Sequence, residues 1–260
     1  MRLLSSFSIG ALIGVLGGLI GLGGAEFRLP VLVGVFKFKT IHAIMINLVV
    51  SLVTVCFSFL FRSSIVPYSQ VWGQTPVILN LLAGSLLGSY AGVHFATRLN
   101  EKSLNRLVMV FLVSLGLMLV FHGVLFDNIT SFSLHPLTRA ILGALAGVVI
   151  GMFSSMLGVA GGELIIPTLL FLFAVDIKLA GSLSLAISIP TIIIGLTRYK
   201  THEPFKVVRQ EAKFIAVMAA GSIVGSFAGS HLLRGISGEV VKTFLGFILL
   251  TSAVKLFYSK

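Results

Sequence analysis

Apolar residues in this chain fall in long unbroken runs, not in the alternation of a half-buried strand or the narrow stripe of a surface helix. Runs at 3–22, 42–61, 76–97, 107–125, 138–158, 179–197, 213–233 and 241–257 approach or exceed the roughly 20 helical residues needed to cross a membrane's hydrocarbon layer. Two shorter apolar pieces, 27–36 and 164–175, each follow a glycine-rich break. At about 1.5 Å per residue they reach only half-way across. Each is either a half-helix completing a broken crossing or a re-entrant segment. The pattern predicts an all-α, polytopic transmembrane bundle of eight long spans and two short half-helices.

The pattern also repeats. Gly21, Gly24, Glu26 and Pro30 return 137 residues later as Gly158, Gly161, Glu163 and Pro167. The same offset carries AGSLLGSYAGVH at 83–94 onto AGSIVGSFAGSH at 220–231, with eight of twelve positions identical. Duplication of this length in an apolar chain is a common build of secondary transporters. It divides the chain into a first repeat at 1–126, a connecting loop at 127–137 and a second repeat at 138–260. The first 25 residues resemble a secretory signal. Their Gly10, Gly14, Gly18 pattern, however, recurs in mid-chain as Gly143, Gly147, Gly151, so both stretches read as mature helices.

Composition sharpens this. The chain is 57% hydrophobic and 10% charged, with a mean hydropathy of +1.08, which leaves too little charge to cover a soluble domain of this size. A net charge of +11 suggests nucleic acid at first sight. The basic residues sit in short connections between apolar runs, however, so no nucleic-acid face exists for them to form. The single Cys56 excludes an internal disulfide and reads as a small packing residue.

Charge placement bears on topology through the excess of Lys and Arg in cytoplasmic loops. If only the long spans cross, with the N-terminus inside, the basic residues divide ten inside and eight outside. If each short piece also returns the chain, thirteen lie inside, five lie outside (Arg62, Arg139, Lys178, Arg234 and Lys242), and Arg28 stays within the membrane. The second arrangement is preferred. It gives each repeat an odd number of crossings, so the two repeats are inverted relative to one another, with both termini cytoplasmic in a multi-pass cell-membrane protein.

Glycines at every fourth position, in 10–18, 84–92, 143–151 and 221–229, lie along one helix face and let a second helix approach closely. The sharper motif is GLGGAEFRLP at 21–30, matched by GVAGGELIIP at 158–167. Glycines release the helix there, and a helix restarting around Glu26 to Pro30 presents free backbone N–H groups that suit an anion. Irregular backbone at membrane depth is costly unless it lines a cavity or is buried in protein. Gly21, Gly23, Gly24, Gly158, Gly161 and Gly162 are therefore candidate substrate-binding positions, against a reading as packing kinks.

Glu26 and Glu163 are acids in apolar runs, and so candidates for proton coupling. As an alternative, each caps its restarted helix. Arg28 has Ile165 as its repeat equivalent, so only one half carries a cation able to clamp an anion. It could equally pair with Glu26 or snorkel to the surface. In AIMINLVVSL at 43–52 and AGSLSLAISI at 180–189, Asn47 pairs with Ser184 and Ser51 with Ser188. Each half thus has two polar side chains four residues apart on one helical face. They suit coordination of an oxyanion or, alternatively, interhelical hydrogen bonding. His94 and His231, also equivalents, read as structural. No phosphate-binding loop and no HExxH pattern occurs, so no cofactor and no metal is expected.

These features resemble the sulfite exporter TauE/SafE family, also called the toluene-sulfonate uptake permease group. The resemblance rests on Gly21–Pro30 and Gly158–Pro167 and on the following helices at Ala43–Leu48 and Ala180–Leu185, and it spans roughly 5–257. It implies a membrane carrier of small, often sulfur-containing anions such as sulfite or sulfonates. The expectation is a secondary transporter working by alternating access, with proton coupling through Glu26 or Glu163. Its partners are a small anion and the lipid bilayer, with homo-oligomerisation left open. The alternatives are a passive anion channel on the same scaffold and a carrier of non-sulfur organic anions. An enzyme is disfavoured, because the polar candidates occur mostly as repeated pairs.

Overall fold

The computed structural model describes residues 2–96, 113, 117, 135–199, 205–237, 240, 241, 243 and 247, without the side chains of Glu26, Pro30, Thr40, residues 94–96 and Leu157. Among the described residues every regular element is helical. In the first half these are α1 (Arg2–Leu16) with a terminal π-turn (Gly17–Gly21), α2 (Ala25–Gly34), α3 (Thr40–Arg62), α4 (Tyr68–Gly73) and α5 (Thr75–Ala96). The second half has α6 (Pro136–Leu157), α7 (Gly162–Phe173), α8 (Ile177–Tyr199), α9 (Lys206–Gln210) and α10 (Ala212–Leu232), closed by a 3₁₀ turn (Leu233–Gly235).

Six of these helices are long and apolar enough to cross a membrane, and α7 is the shorter apolar piece. They match the long runs at 3–22, 42–61, 76–97, 138–158, 179–197 and 213–233 to within about two residues at each end. The expected spans at 107–125 and 241–257 fall almost wholly outside the described residues, as does most of the 127–137 loop. Within the basic stretch 198–213, Lys206–Gln210 form α9, whose Val207 is buried. Pro76 lies in the first turn of α5, where it costs no hydrogen bond, while Pro190 lies inside α8.

The breaks use backbone geometry that L side chains resist. Gly21, Gly24, Gly158 and Gly161 have φ of 94°, 66°, 67° and 80°. The helices restart at Ala25 and Gly162, earlier than the expected start between Glu26 and Pro30, because a left-handed Gly24 or Gly161 closes the turn at once. Pro30 and Pro167 then fall inside α2 and α7, where neither can offer an amide to the carbonyl four residues back, that of Glu26 or Glu163.

After each break the chain turns back. Gly24 packs on Ile13, in the last turn of α1, and its equivalent Gly161 packs on Ile150 of α6, the equivalent of Ile13. α2 then runs back along α1, so that Phe38 comes within 5.0 Å of the Arg2 guanidinium. α2 thus doubles back along the helix before it. Arg2 also reaches Phe214 and pairs with Glu211 at 3.4 Å, so Arg2, the α2–α3 connection and the start of α10 share one end of the bundle. Arg62 lies at the other end, bonded to Gly18 and Leu19 of the π-turn and to Lys178 and Ser182 of α8.

The glycine ladders hold the halves together crosswise. Added Cβ atoms on Gly10, Gly14 and Gly18 of α1 would collide with Met218, Ser222 and Ser226 of α10. Those on Gly221, Gly225 and Gly229 would strike Phe7, Ala11 and Val15. α5 and α6 repeat this, with Gly84, Gly88 and Gly92 on Ala144, Val148 and Met152. Register rises together in both pairs, so both are parallel. The first helix of each half thus packs, backbone to backbone, on the last long described helix of the other, as small residues at every fourth position permit.

Candidate functional site

The two breaks cross at the centre of the bundle. Gly23 lies against its own repeat equivalent, Ala160, and a Cβ on Gly162 would sit 3.3 Å from the carbonyl oxygen of Gly21. Asn47 closes the other side of the crossing. Its Nδ2 donates to the carbonyls of both Ala25, at 2.9 Å, and Gly158, at 2.8 Å. The equivalent Ser184 donates from Oγ to the carbonyl of Gly21. Each half thus satisfies, with the same position of its long helix, the last carbonyl before the other half's break. These bonds answer the need to pair every buried backbone group. The N-cap positions of α2 and α7 are Gly24 and Gly161, which have no side chain to cap with.

Beside the crossing lies Arg28, fully buried on the second turn of α2. Its Nη1 donates to Asn47 Oδ1 at 3.2 Å and Ser51 Oγ at 2.9 Å. Its Nη2 donates to Thr54 Oγ1 at 3.2 Å, the Gly23 carbonyl at 3.4 Å and Ser222 Oγ at 3.5 Å. The guanidinium neither snorkels nor faces lipid; an amide oxygen, hydroxyls and a backbone carbonyl are among its partners. Each shell residue has an equivalent in the other half: Ser184, Ser188, Thr191 and Ser85, all buried. There the cation is replaced by Ile165, and Ser85 and Thr191 bond to one another at 2.8 Å. The polar shell obeys the repeat while its charge does not.

The expected site residues divide accordingly. Gly21, Gly23, Gly24, Gly158, Gly161 and Gly162 form the crossing, Asn47 and Ser184 brace it, and Arg28 and Ser51 adjoin it. Ser188 is buried one turn beyond Ser184. Glu163 is buried at the second residue of α7, and the side chain of Glu26 is not among those described. His231 is exposed and bonded to its own helix at Phe227, away from this centre, and the side chain of His94 is not described.

Thr54 and Ser222 were not expected. Thr54 was legible in principle, since it continues the Asn47–Ser51 face by three residues and recurs as Thr191. Arg62 requires a correction. Charge counting placed it in a loop, but it is 1% exposed and buried at the end of α3, where four of its N–H groups serve carbonyls and a hydroxyl. Its repeat equivalent Tyr199 donates to the carbonyl of Ser155 at 3.0 Å, the equivalent of the Gly18 carbonyl that Arg62 binds. Among the described residues no three His, Cys, Asp or Glu side chains gather as metal ligands would.

The model of one protein family, described as sulfite exporter TauE/SafE, matches residues 6–256. The chain belongs to the TauE/SafE family. It is accordingly a multi-pass protein of a membrane transporter family, in a lipid bilayer and acting on a small molecule. In this TauE/SafE protein the matched region takes in both breaks, and so the crossing at Gly23 and Ala160. Comparison with curated proteins and with solved structures gives no match.

Proposed function

We propose that this protein is a secondary transporter of a small oxyanion, sulfite or an organic sulfonate, which it moves by alternating access between two inverted halves. The observation that carries the proposal is Arg28. A guanidinium is retained at mid-depth, fully buried, in a shell of amide and hydroxyl groups. Burying such a charge is expensive, and intramembrane charges mark transport pathways far more often than they serve packing. Arginine also matches the fork geometry of oxyanions. On this proposal Asn47, Ser51, Ser184 and Ser188 join it in coordinating the anion. The starts of α2 and α7 add backbone N–H groups from either side of the crossing.

Inversion of the halves is supported by how equivalent helices meet. The end of α3 bonds the beginning of α8, which fits these two equivalents running in opposite directions. The crossing of Gly23 with its own equivalent then lies where a twofold axis in the membrane plane would pass. Arg2 sharing an end with the α2–α3 connection and Glu211, opposite Arg62 and Lys178, fits the charge distribution with the termini cytoplasmic. Residues 1–126 and 138–260 act as the two moving units, and Glu26 or Glu163 exchanges a proton with the cycle.

The test is sulfite uptake by purified protein in liposomes. A carrier shows uptake that saturates with sulfite and is accelerated by sulfite on the far side. Unsaturable flux with single-channel currents would mean a passive channel. Selective thermal stabilisation by carboxylates over sulfite and sulfonates would move the substrate to non-sulfur anions.

A further inference from the structure

The polar face of α3 does not stop at Arg28. Asn47, Ser51, Thr54, Ser58 and Arg62 succeed one another at helical spacing and are all at most 1% exposed. The first three surround Arg28, and Arg62 stands at the end of the bundle opposite Arg2. Facing α3 on α10, Ser222 bonds Arg28, and Ser226 and Ser230 continue its face at intervals of four. Two hydroxyls along this track have no hydrogen-bond partner among the described residues although fully buried: Ser58 Oγ, one turn from Arg62, and Ser230 Oγ. Ser230 follows Gly229, which packs against Leu19, and Arg62 Nη1 donates to the Leu19 carbonyl at 2.9 Å. Both orphan hydroxyls thus lie near the depth of Arg62.

A buried hydroxyl without a partner is destabilising, so the fold gives no reason to keep either. The other half confirms that packing does not need them. Ser58 is replaced there by Gly195, Ser230 by Val93, Arg62 by Tyr199 and Arg28 by Ile165. The repeat symmetry fails at these four positions, and in each case the polar residue is on the same track. From Ser51 to Arg62 is eleven residues, roughly 16 Å along a helix, too far for one small oxyanion to touch both arginines.

We propose that Ser58, Ser230 and Arg62 form a second binding station for a small oxyanion, entered from the Arg28 site along the α3–α10 face. Ser58 and Ser230 donate hydrogen bonds from their hydroxyls to the anion. Arg62 supplies charge and the one guanidinium N–H left over from its four donated bonds. Passage is then polarised, with charged stations at mid-depth and at the Arg62 end, and the apolar equivalents Ile165, Gly195 and Val93 in the corresponding places of the other half.

The proposal rests on the anion-carrier reading, and the test separates the two. Ser58→Ala and Ser230→Ala proteins in liposomes are compared with wild type for sulfite uptake and for melting temperature. Removal of an unpartnered hydroxyl leaves the melting temperature unchanged or raised. Maximal uptake falls roughly fivefold for each hydroxyl, the worth of about one hydrogen bond. The KM for sulfite stays near wild type because Arg28 still binds, and Ser58→Thr restores the rate. Wild-type uptake by both alanine proteins overturns the second station while leaving the carrier intact. A lowered melting temperature shows the hydroxyls to be structural and also overturns it. A wild-type protein that moves no sulfite strikes at the carrier reading itself.

Discussion

Gly23 faces its own repeat equivalent, Ala160, so closely that a Cβ on Gly23 would overlap that of Ala160. One of the two positions must therefore lack a side chain for the breaks to cross. Gly23→Ala is expected to destabilise the protein by about 1–3 kcal/mol, the usual range for overpacking a close-fitted core. The added Ala160→Gly exchange should restore most of the loss, since it swaps the methyl group from one side of the crossing to the other. Thermal melts of the single and double variants form the double-mutant cycle that checks this, and additive effects would show that the two do not compete for one space.

Asn47 and Ser184 hold equivalent places with unequal duties. Asn47 serves two carbonyls and receives one guanidinium bond, whereas Ser184 bonds the carbonyls of Gly21 and Gly181 through one hydroxyl. Asn47→Ala leaves several buried polar groups without a partner, each costing about 1–3 kcal/mol. It should therefore lower the melting temperature well beyond Ser184→Ala. Equal losses in differential scanning fluorimetry would refute the inequality.

The six long described helices and the broken pieces were legible because long apolar runs and a 137-residue duplication leave few alternatives in a bilayer. The positions Gly21, Gly24, Gly158 and Gly161 were legible too, since glycine is the residue that tolerates the positive φ each adopts. Arg62 was not. A cation at the end of an apolar run looks the same in sequence whether it enters water or turns inward to carbonyls, and only the partners Gly18, Leu19 and Lys178, distant in the chain, decide the matter. Ser222 was hidden for the same reason, 194 residues from the arginine it meets.

Arg28→Ile copies the equivalent residue Ile165 into the first half and makes the two polar shells alike. The fold tolerates an isoleucine at this position of the other half, so the variant should assemble. Loss of a charge-assisted, forked donor is expected to reduce sulfite uptake about a hundredfold. Arg28→Lys, which keeps charge without the fork, should fall between. Uptake by Arg28→Ile within a few-fold of wild type, in protein of normal melting temperature, would show that the guanidinium does not bind the anion.

The glycine ladders predict where bulk is forbidden. Gly225 meets the backbone of Ala11 and Val15, while the neighbouring Val224 is exposed on the same helix. Gly225→Val should therefore prise α10 from α1 and yield protein that aggregates on size-exclusion chromatography. Val224→Leu should elute as wild type. Equal behaviour of the two would mean that α1 and α10 do not approach as closely as their backbones indicate.

Glu163 separates the two roles open to the paired acids. It is buried at the second residue of α7, where a carboxylate favours the helix N-terminus whether or not it ever takes up a proton. Glutamine retains the shape and an accepting oxygen but cannot titrate. If the acids only stabilise helix starts, a Glu26→Gln, Glu163→Gln protein loses stability and still accumulates sulfite when a pH gradient is imposed. If they carry the proton, accumulation driven by the gradient disappears, whereas sulfite–sulfite exchange across the membrane, which needs no net proton movement, continues. Proton coupling predicts the second outcome, and measuring gradient-driven uptake beside exchange in the same liposomes distinguishes a broken coupling from a broken carrier.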